Sequence, residues 1–471
     1  MDAITGPCLQ YAEGGARGHN AFWPCSDTFC LLLPWWPIVP RGHRGGSKLE
    51  ITTIEPNLRR LRAFVGVARW SSVRKAAEEM HLTQPAVTRA IQKLERELGV
   101  LLFHRTAQGM CTTSFGAVAE KRATRALMHL EQAESELAGH LRREEAENKI
   151  IRCSVRHLVH ALTHRHFQAL IATAESGTQG AAATLLGISQ PAVAQALNDL
   201  ERQVGVPLLL RASSGMIATT AGEILIRCGK LALTEIAAMP GDIAESTGVI
   251  MGRVRVGVLP LSGTLLVPRA VSRLIEEHHG LKICLVDGSY DTLLQQLRYG
   301  DIDVIVGPLR SPCPATDIVQ ERLFDSTLSV IARKGHPLDK PKALTLAELG
   351  QWGWVLPRRG TPAYRVIERT MRNAGLAMPS NPIESNGLAT IRALLVESNR
   401  LSMISRHQVY FEERDGLLCI LPVDLCETAR PVGIATRADA AHSAGVLALL
   451  KHLRAVNRDA LLADKGCQTA G

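Results

Sequence analysis

Gln84, Thr88, Arg89 and Gln92 lie on one side of a stretch whose other side is aliphatic, with Val87, Ile91, Leu94 and Leu98 at positions i, i+4, i+7 and i+11. That spacing predicts a helix that buries its aliphatic stripe and turns amide, hydroxyl and guanidinium groups outward. Amides pair bidentately with adenine edges and guanidiniums with guanine edges in the DNA major groove, while a threonine can bond phosphate or touch a thymine methyl. Thr83 is placed to cap this helix, and Pro85 sits in its first turn, where no intrahelical N–H is needed. Lys93 on the same helix and Arg105 beyond it add charge suited to phosphate.

The elements around this face fit a compact helical unit. Leu58, Leu61, Phe64, Val65 and Ala68 form one apolar helical face, and Ser72 suits the N-cap of a short helix over 73–80. Ala76 and Ala77 allow that helix to approach the next closely. His81 falls where the chain must turn through a left-handed conformation. Leu101-Leu102-Phe103, Arg105 and the 109–113 segment read as a two-stranded wing with a glycine turn.

The whole pattern occurs twice. Residues 61–116 align without a gap to residues 167–222, sharing Gln84-Pro85-Ala86-Val87 with Gln190-Pro191-Ala192-Val193, Leu94-Glu95-Arg96 with Leu200-Glu201-Arg202, and Thr113 and Gly116 with Thr219 and Gly222. Gly187 stands where the first copy has His81. Over 72–110 six basic residues face four acidic ones, a net of 6 − 4 = +2, whereas 178–216 has two of each, a net of 0. On electrostatics the first copy is the stronger DNA binder. The second keeps Ser189, Gln190, Pro191 and Gln195. Both copies touching DNA as an intramolecular pair is favoured, since a two-fold arrangement can match a dyad operator; the alternative is one DNA-reading copy with the other used for dimerisation. Each copy runs into a further apolar helical stripe, Leu127, Leu130, Ala133 and Leu137 after the first and Leu225, Leu231, Leu233 and Ile236 after the second. The stripes can pair with each other or across a subunit boundary. The run Arg142-Arg143-Glu144-Glu145 reads as a solvated linker.

A chain of 471 residues suggests about three domains. The net charge of +9 gives weak support for a polyanionic partner. Eleven cysteines without a CxxC pair or zinc-type spacing read as unpaired thiols in a reducing cytoplasm, and no metal or cofactor is expected. The apolar run 29–36 is too short to span a bilayer and is broken by Pro34. Residues 1–56, aperiodic and rich in Gly and Pro, read as disordered or as an over-long start. No paired carboxylates, Ser-His-Asp motif, HExxH, P-loop or strand-linked GxGxxG points to an enzyme. A periplasmic-type solute binder is disfavoured by the reading helices and the lack of an export signal.

Ala76-Ala77, the run Leu82-Thr83-Gln84-Pro85-Ala86-Val87-Thr88-Arg89-Ala90-Ile91, Leu94-Glu95 and Leu102-Phe103-His104-Arg105 closely resemble the winged helix-turn-helix of LysR-type transcriptional regulators, and the second copy resembles it too. From about Gly252 the chain is similar to that family's effector-binding domain, within it to the galactose-binding-protein regulator group, through Val256-Gly257-Val258-Leu259-Pro260-Leu261, Val304-Ile305-Val306-Gly307 and Ser405-Arg406-His407-Gln408-Val409. Family members ordinarily carry a single DNA-binding domain, which is where this chain departs. The resemblance implies two winged helix-turn-helix domains (57–116 and 163–222), linker helices (117–162 and 223–250), a two-subdomain type-2 periplasmic-binding-protein-like domain (251–460) and a tail (461–471). The implied partners are a double-stranded DNA operator, a small-molecule effector, further copies of the chain and RNA polymerase.

Independently, 252–460 alternates β-rich runs with helical patterns, which argues an α/β domain with mostly parallel strands, at Val254–Leu259, Ile283–Val286, Ile302–Val306, Leu328–Ala332, Trp354–Leu356 and Leu401–Ile404. Ligands of such folds gather beyond the strand C-termini, where helix N-termini favour polar or anionic groups. Those places hold Ser262, Gly263 and Thr264; Ser289; Pro308 and Leu309; Thr361; Ser385 and Asn386; and Ser405 and Arg406. Such residues are also ordinary helix caps, but their repetition after several strands argues for a cleft. Neutral hydroxyls and amides suit a sugar or a small organic acid. The resemblance implies subdomains joined by crossings near 310–315 and 427–431. Trp352 and Trp354 could stack on a ligand, with core packing the favoured role.

Overall fold

The structure, a computed structural model, describes residues 57–107, 109–148, 162–340, 342–425 and 427–468; the segment 1–56 and the end of the tail lie outside them. Each repeat is three helices and a β-ribbon. In the first, α1 (Leu58–Trp70) is capped by the Asn57 side chain, buries Leu58, Leu61, Phe64 and Val67, and ends at Ser71 with φ 49°. Ser72 then accepts from Lys75 N to start α2 (Val73–Glu79). His81 takes φ 52°, the left-handed turn expected of it, and Gly187 does so at φ 65°. Helix α3 (Gln84–Leu98) buries Val87, Ile91 and Leu94 and ends at Gly99. Burying each such side chain is worth about 1.5–3 kcal/mol. Strands β1 (Phe103–Thr106) and β2 (Gly109–Thr112) pair antiparallel. The second repeat reproduces the set as α5 (His164–Ser176), α6 (Gln179–Leu186), α7 (Gln190–Val204), β3 (Leu209–Ala212) and β4 (Gly215–Ala218).

Each ribbon leads into a long helix, α4 (Ser114–Asn148) and α8 (Thr220–Glu245). The turn between ribbon and helix explains two shared glycines. A Cβ at Gly116 would stand 2.1 Å from the Leu102 carbonyl oxygen, and one at Gly222 would stand 2.1 Å from that of Leu208. The run Arg142-Arg143-Glu144-Glu145 is not a linker; its backbone continues α4.

The remainder forms two mixed sheets. The first has the order β6 (Gly280–Asp287), β5 (Met251–Val258), β7 (Val304–Pro308), β14 (Arg430–Arg437), β8 (Ile318–Ser326). Here β5 is parallel to β6 and β7, and β14 is antiparallel to β7 and β8. The second has the order β11 (Ile383–Glu384), β10 (Trp354–Leu356), β12 (Leu401–Ser405), β9 (Leu328–Arg333), β13 (Leu418–Leu421). Strand β10 is parallel to β11 and β12, and β9 is antiparallel to β12 and β13. The expectation of mostly parallel strands fails at β8, β9, β13 and β14. The chain passes between the sheets at Thr327 and again between Leu421 and Arg430, and the strands flanking these passages run against their neighbours. The first crossing is therefore not at 310–315. That segment stays on the first sheet, where the Gln320 side chain accepts from Arg310 N at 2.9 Å and donates to Arg310 O at 3.0 Å. Trp354 is buried, and Trp352 packs on His336 and the second sheet's core, so both tryptophans are structural.

Candidate nucleic-acid interface and effector cleft

On α3 the side chains of Gln84, Thr88, Arg89, Gln92 and Lys93 are exposed, as are Thr83 and Pro85. Arg89 Nε donates to Pro85 O at 3.2 Å, which steadies the base of the guanidinium while its far end stays on the surface. Thr83 occupies the N-cap position but makes no side-chain cap bond, so its hydroxyl is left for another partner; Ser189 in the second copy does cap, accepting from Ala192 N at 3.4 Å. Arg105 is exposed on β1. Ser72 is partly spent on capping.

The matching face of α7 exposes Gln190, Pro191 and Gln195. Gln195 Nε2, however, donates to Asp199 Oδ1 at 2.9 Å, and Asp199 pairs with Arg202 at 3.1 Å. Asp199 stands where the first copy has Lys93, so the charge offered to phosphate is reversed there. The ribbon of this copy also exposes the cross-strand pair Leu210 and Ile217. The two reading faces share a frame and differ in chemistry.

Composition left open what the helices after each repeat do, and the structure pairs them with each other. Arg122, near the start of α4, bonds Asp242 near the end of α8, while Glu136 further along α4 bonds Arg227 nearer the start of α8, so the helices run antiparallel. The helices begin 220 − 114 = 106 residues apart. Adding 106 takes Glu136 to Asp242, and subtracting it from Arg227 gives 121, next to Arg122. The two ion pairs are thus related, within one residue, by the symmetry of the repeat. Leu130, Ala133 and Leu137 of α4 and Leu225, Leu233 and Ile236 of α8 are buried in one core with both repeats.

Between these pairs lies Glu235, whose carboxylate meets Arg122 Nη1 at 2.7 Å, Arg125 Nε at 2.9 Å and His129 Nε2 at 3.8 Å. Burial alone would push its pKa up, but His129, Arg122 and Arg125 outweigh it and hold the group at about 2. Arg122 also donates to Ala441 O at 2.7 Å, which ties the helix pair to the two-sheet region. A second tie is Lys230 of α8, set between Glu175 at 2.5 Å and Asp301 at 2.8 Å. Burial, and less strongly Asp301, push Glu175 up to about 7 against the pull of Lys230. None of these junction residues is marked by a local motif in the sequence; the one available signal was charge placed among the apolar stripes.

Of the residues expected at a cleft, several are caps or scaffold. Ser262 is buried with its hydroxyl 2.6 Å from Val306 O and 2.9 Å from Leu259 O. After α9 (Leu266–Glu277), Ser289 caps α10 (Tyr290–Tyr299), and Thr361 caps α11 (Pro362–Asn373). Ser385 accepts from Gly387 N, and Asn386 accepts from Arg358 N at 3.0 Å. Leu309 N donates to Pro431 O at 2.8 Å, beside Pro308 at the end of β7. Arg406 pairs with Glu413 at 2.9 Å. Gly263 is exposed. Two of the residues join the sheets' halves. Ser405 Oγ lies 2.6 Å from Ser326 Oγ, and Thr264 Oγ1 accepts from Arg392 Nη2 at 3.1 Å. Arg392, missed in the sequence, is held by Gln408 O at 2.9 Å and by Glu412 at 3.3 Å. Arg269 lies over the Tyr410 ring at 5.1 Å, closing the same side. The strand C-termini β5, β7, β10 and β12 thus do converge on one boundary between two lobes.

An exposed polar reading helix on a helical repeat, joined by a long helix to a two-lobed α/β domain, defines a DNA-binding regulator with an effector domain. A model of the bacterial regulatory helix-turn-helix of the lysR family matches residues 58–117 and again 164–223, and one of the LysR substrate binding domain matches 247–458. The HTH-type transcriptional regulator GalR of Pseudomonas putida is 36% identical over 401 residues, 85% of this chain and 97% of that one. PcaQ of Agrobacterium fabrum, another HTH-type transcriptional regulator, is 31% identical over 290 residues, 62% of this chain and 93% of its own. Among solved structures, CbnR, a LysR family transcriptional regulator, is similar at TM-score 0.47 and 19% identity, covering 63% of this chain and 99% of that one. The chain belongs to the LysR family of transcriptional regulators. Among the described residues no helix is long and apolar enough to cross a membrane.

Proposed function

We propose that one chain supplies a two-headed DNA-binding unit, built from two winged helix-turn-helix domains, whose presentation to an operator is set by an effector held between the lobes of a type-2 periplasmic-binding-protein-like domain. The observation that carries this reading is the antiparallel α4–α8 pair with its repeat-related ion pairs. A two-fold pair of reading heads is what a dyad operator matches, and here the pair is made within one polypeptide. The first head is the principal reader, through Thr83, Gln84, Pro85, Thr88, Arg89, Gln92 and Lys93, with Arg105 on phosphate. The second contributes through Gln190 and, once released from Asp199, Gln195, with a smaller share of the phosphate contact. At the cleft, Thr264, Pro308 and Leu309 are the expected residues that face the effector, while Ser289 and Thr361 act as caps, Ser385 and Asn386 accept backbone N–H groups and Arg406 stays with Glu413.

Fluorescence anisotropy on promoter fragments across a salt series tests this. A bidentate guanidinium–guanine contact is worth about 1–3 kcal/mol, so Arg89→Ala should weaken operator binding by roughly 5- to 150-fold. Gln195→Ala should weaken it less. Unchanged affinity and salt slope in Arg89→Ala would remove the first repeat as reader, and a loss confined to Gln195→Ala would reverse the roles of the heads.

A further inference from the structure

We propose that the effector is a small carboxylate, bound at the inner edge of the first lobe by the guanidiniums of Arg310 and Arg430 with the Tyr290 hydroxyl as third contact. The assignment rests on the reading that the effector lies between the lobes. The backbone sets the two arginines side by side. Leu309 N bonds Pro431 O at 2.8 Å, and Arg430 sits opposite Ser326, whose hydroxyl meets Ser405 of the other lobe. Arg310 lies over the Tyr290 ring, 4.4 Å from its centre. Tyr290 is 8% exposed, and its hydroxyl is buried without a hydrogen-bond partner.

Several other guanidiniums of this domain face carboxylates, while Arg437 is held by the Leu297 and Ile302 carbonyls. Arg255 has Asp303 at 3.6 Å, and Arg392 has Glu412 at 3.3 Å. Neither Arg310 nor Arg430 has an ion pair among the described residues. Burial, then the charge of Arg310, hold Arg430 below its usual range. A carboxylate matches the planar fork of a guanidinium and can accept from the phenol as well. A neutral sugar would leave two like charges facing each other.

The test uses the full-length protein with three matched pairs of probes: benzoate and benzamide, succinate and succinamide, glucuronate and glucose. Thermal unfolding and amide hydrogen exchange are read for each. At least one carboxylate should raise the unfolding midpoint and protect 289–310 and 405–410, with its neutral partner inert. Arg430→Met should raise the midpoint of the ligand-free protein, because it removes like-charge repulsion, and weaken the carboxylate at least about tenfold, the size of one charge-assisted contact. A merely structural arginine would lower the midpoint, and that result overturns the proposal. So does silence from all three carboxylates at millimolar concentration. A neutral probe that binds as well as its carboxylate and protects the same segments ends the anion assignment while the cleft reading stands. Protection elsewhere by a bound carboxylate ends both.

Discussion

Replacing Glu235 with Gln keeps the shape of the helix brace and removes its central charge. The side chain is 7% exposed, so solvent screens it little. Its carboxyl is lowered from 4.5 to about 2, although burial opposes the shift, because His129, Arg122 and Arg125 surround it. At about 1.4 kcal/mol per tenfold change in proton affinity, that difference is roughly 3 kcal/mol. The folded-state value is depressed, so the stabilisation is fully present above the unfolded-state value near 4.5 and is lost as pH falls through about 2. The stability gap between wild type and Glu235→Gln should therefore be roughly 3 kcal/mol at pH 6, shrink below pH 4.5 and vanish near pH 2. Urea unfolding read by amide exchange of the α4 and α8 peptides isolates the helix pair from the effector domain. A gap below about 1 kcal/mol at pH 6, or one of constant size down to pH 2, would refute the view that this ion cluster holds the two heads together.

The Lys230 junction has the opposite sign. Glu175 is raised to about 7 by burial, with Asp301 adding to the rise and Lys230 opposing it, so this group's contribution is complete below 4.5 and is lost as pH rises through about 7. Glu175→Gln should be near neutral in stability at pH 4, already stabilising at pH 6 and most stabilising at pH 8.5 in thermal melts; destabilisation across this range would mean the carboxylate is charged throughout. Gly116→Ala should cost at least about 1–3 kcal/mol in urea unfolding, since the new methyl meets the Leu102 backbone, which cannot step aside. Gly99→Ala, with φ 72° but nothing within 4 Å, should cost only about 1–2 kcal/mol of left-handed strain; equal losses at the two sites would discount the close approach.

Local chemistry was legible in the sequence because it repeats. The shared Gly116 and Gly222, the left-handed His81 and Gly187, and the stripe Val87, Ile91, Leu94 all follow from rules that act within a few residues. Shared identities also concealed structural roles. Glu95 and Glu201 count as surface charge in a tally, yet each accepts the backbone N–H that opens the ribbon, from Leu102 at 2.8 Å and Leu208 at 2.7 Å. Thr113 and Thr219 likewise cap the long helices, accepting from Gly116 N and Gly222 N. What stayed hidden is non-local. Strand direction in the two sheets depends on where the chain crosses between them, and Thr327 carries no composition signal for that. Tyr290, Arg310 and Arg430 span 430 − 290 = 140 residues of sequence and meet only when β14 returns to β7.

The effector domain reaches the helix that follows the second repeat through one end of α10. Helix α10 begins at Tyr290, on the cleft side, and ends at Tyr299, whose hydroxyl bonds Glu223 of α8. The next two residues also reach α8: Gly300 O accepts from Thr234, and Asp301 meets Lys230. Ten residues of helix span about 15 Å, so one rigid element has its first turn at the proposed ligand and its last turn on the helix that carries the second head. A ligand shifts a conformational equilibrium only by contacting two states differently. Tyr290, with an unused hydroxyl, is the group on this helix able to make such a contact. Displacement of α10 would reach α8 first and α4 through its packing and ion pairs with α8, Arg122 to Glu235 and Asp242 and Glu136 to Arg227. On the proposed function, an effector-driven displacement would move the second head before the first, and the first, with the positive charge, would keep the DNA contact.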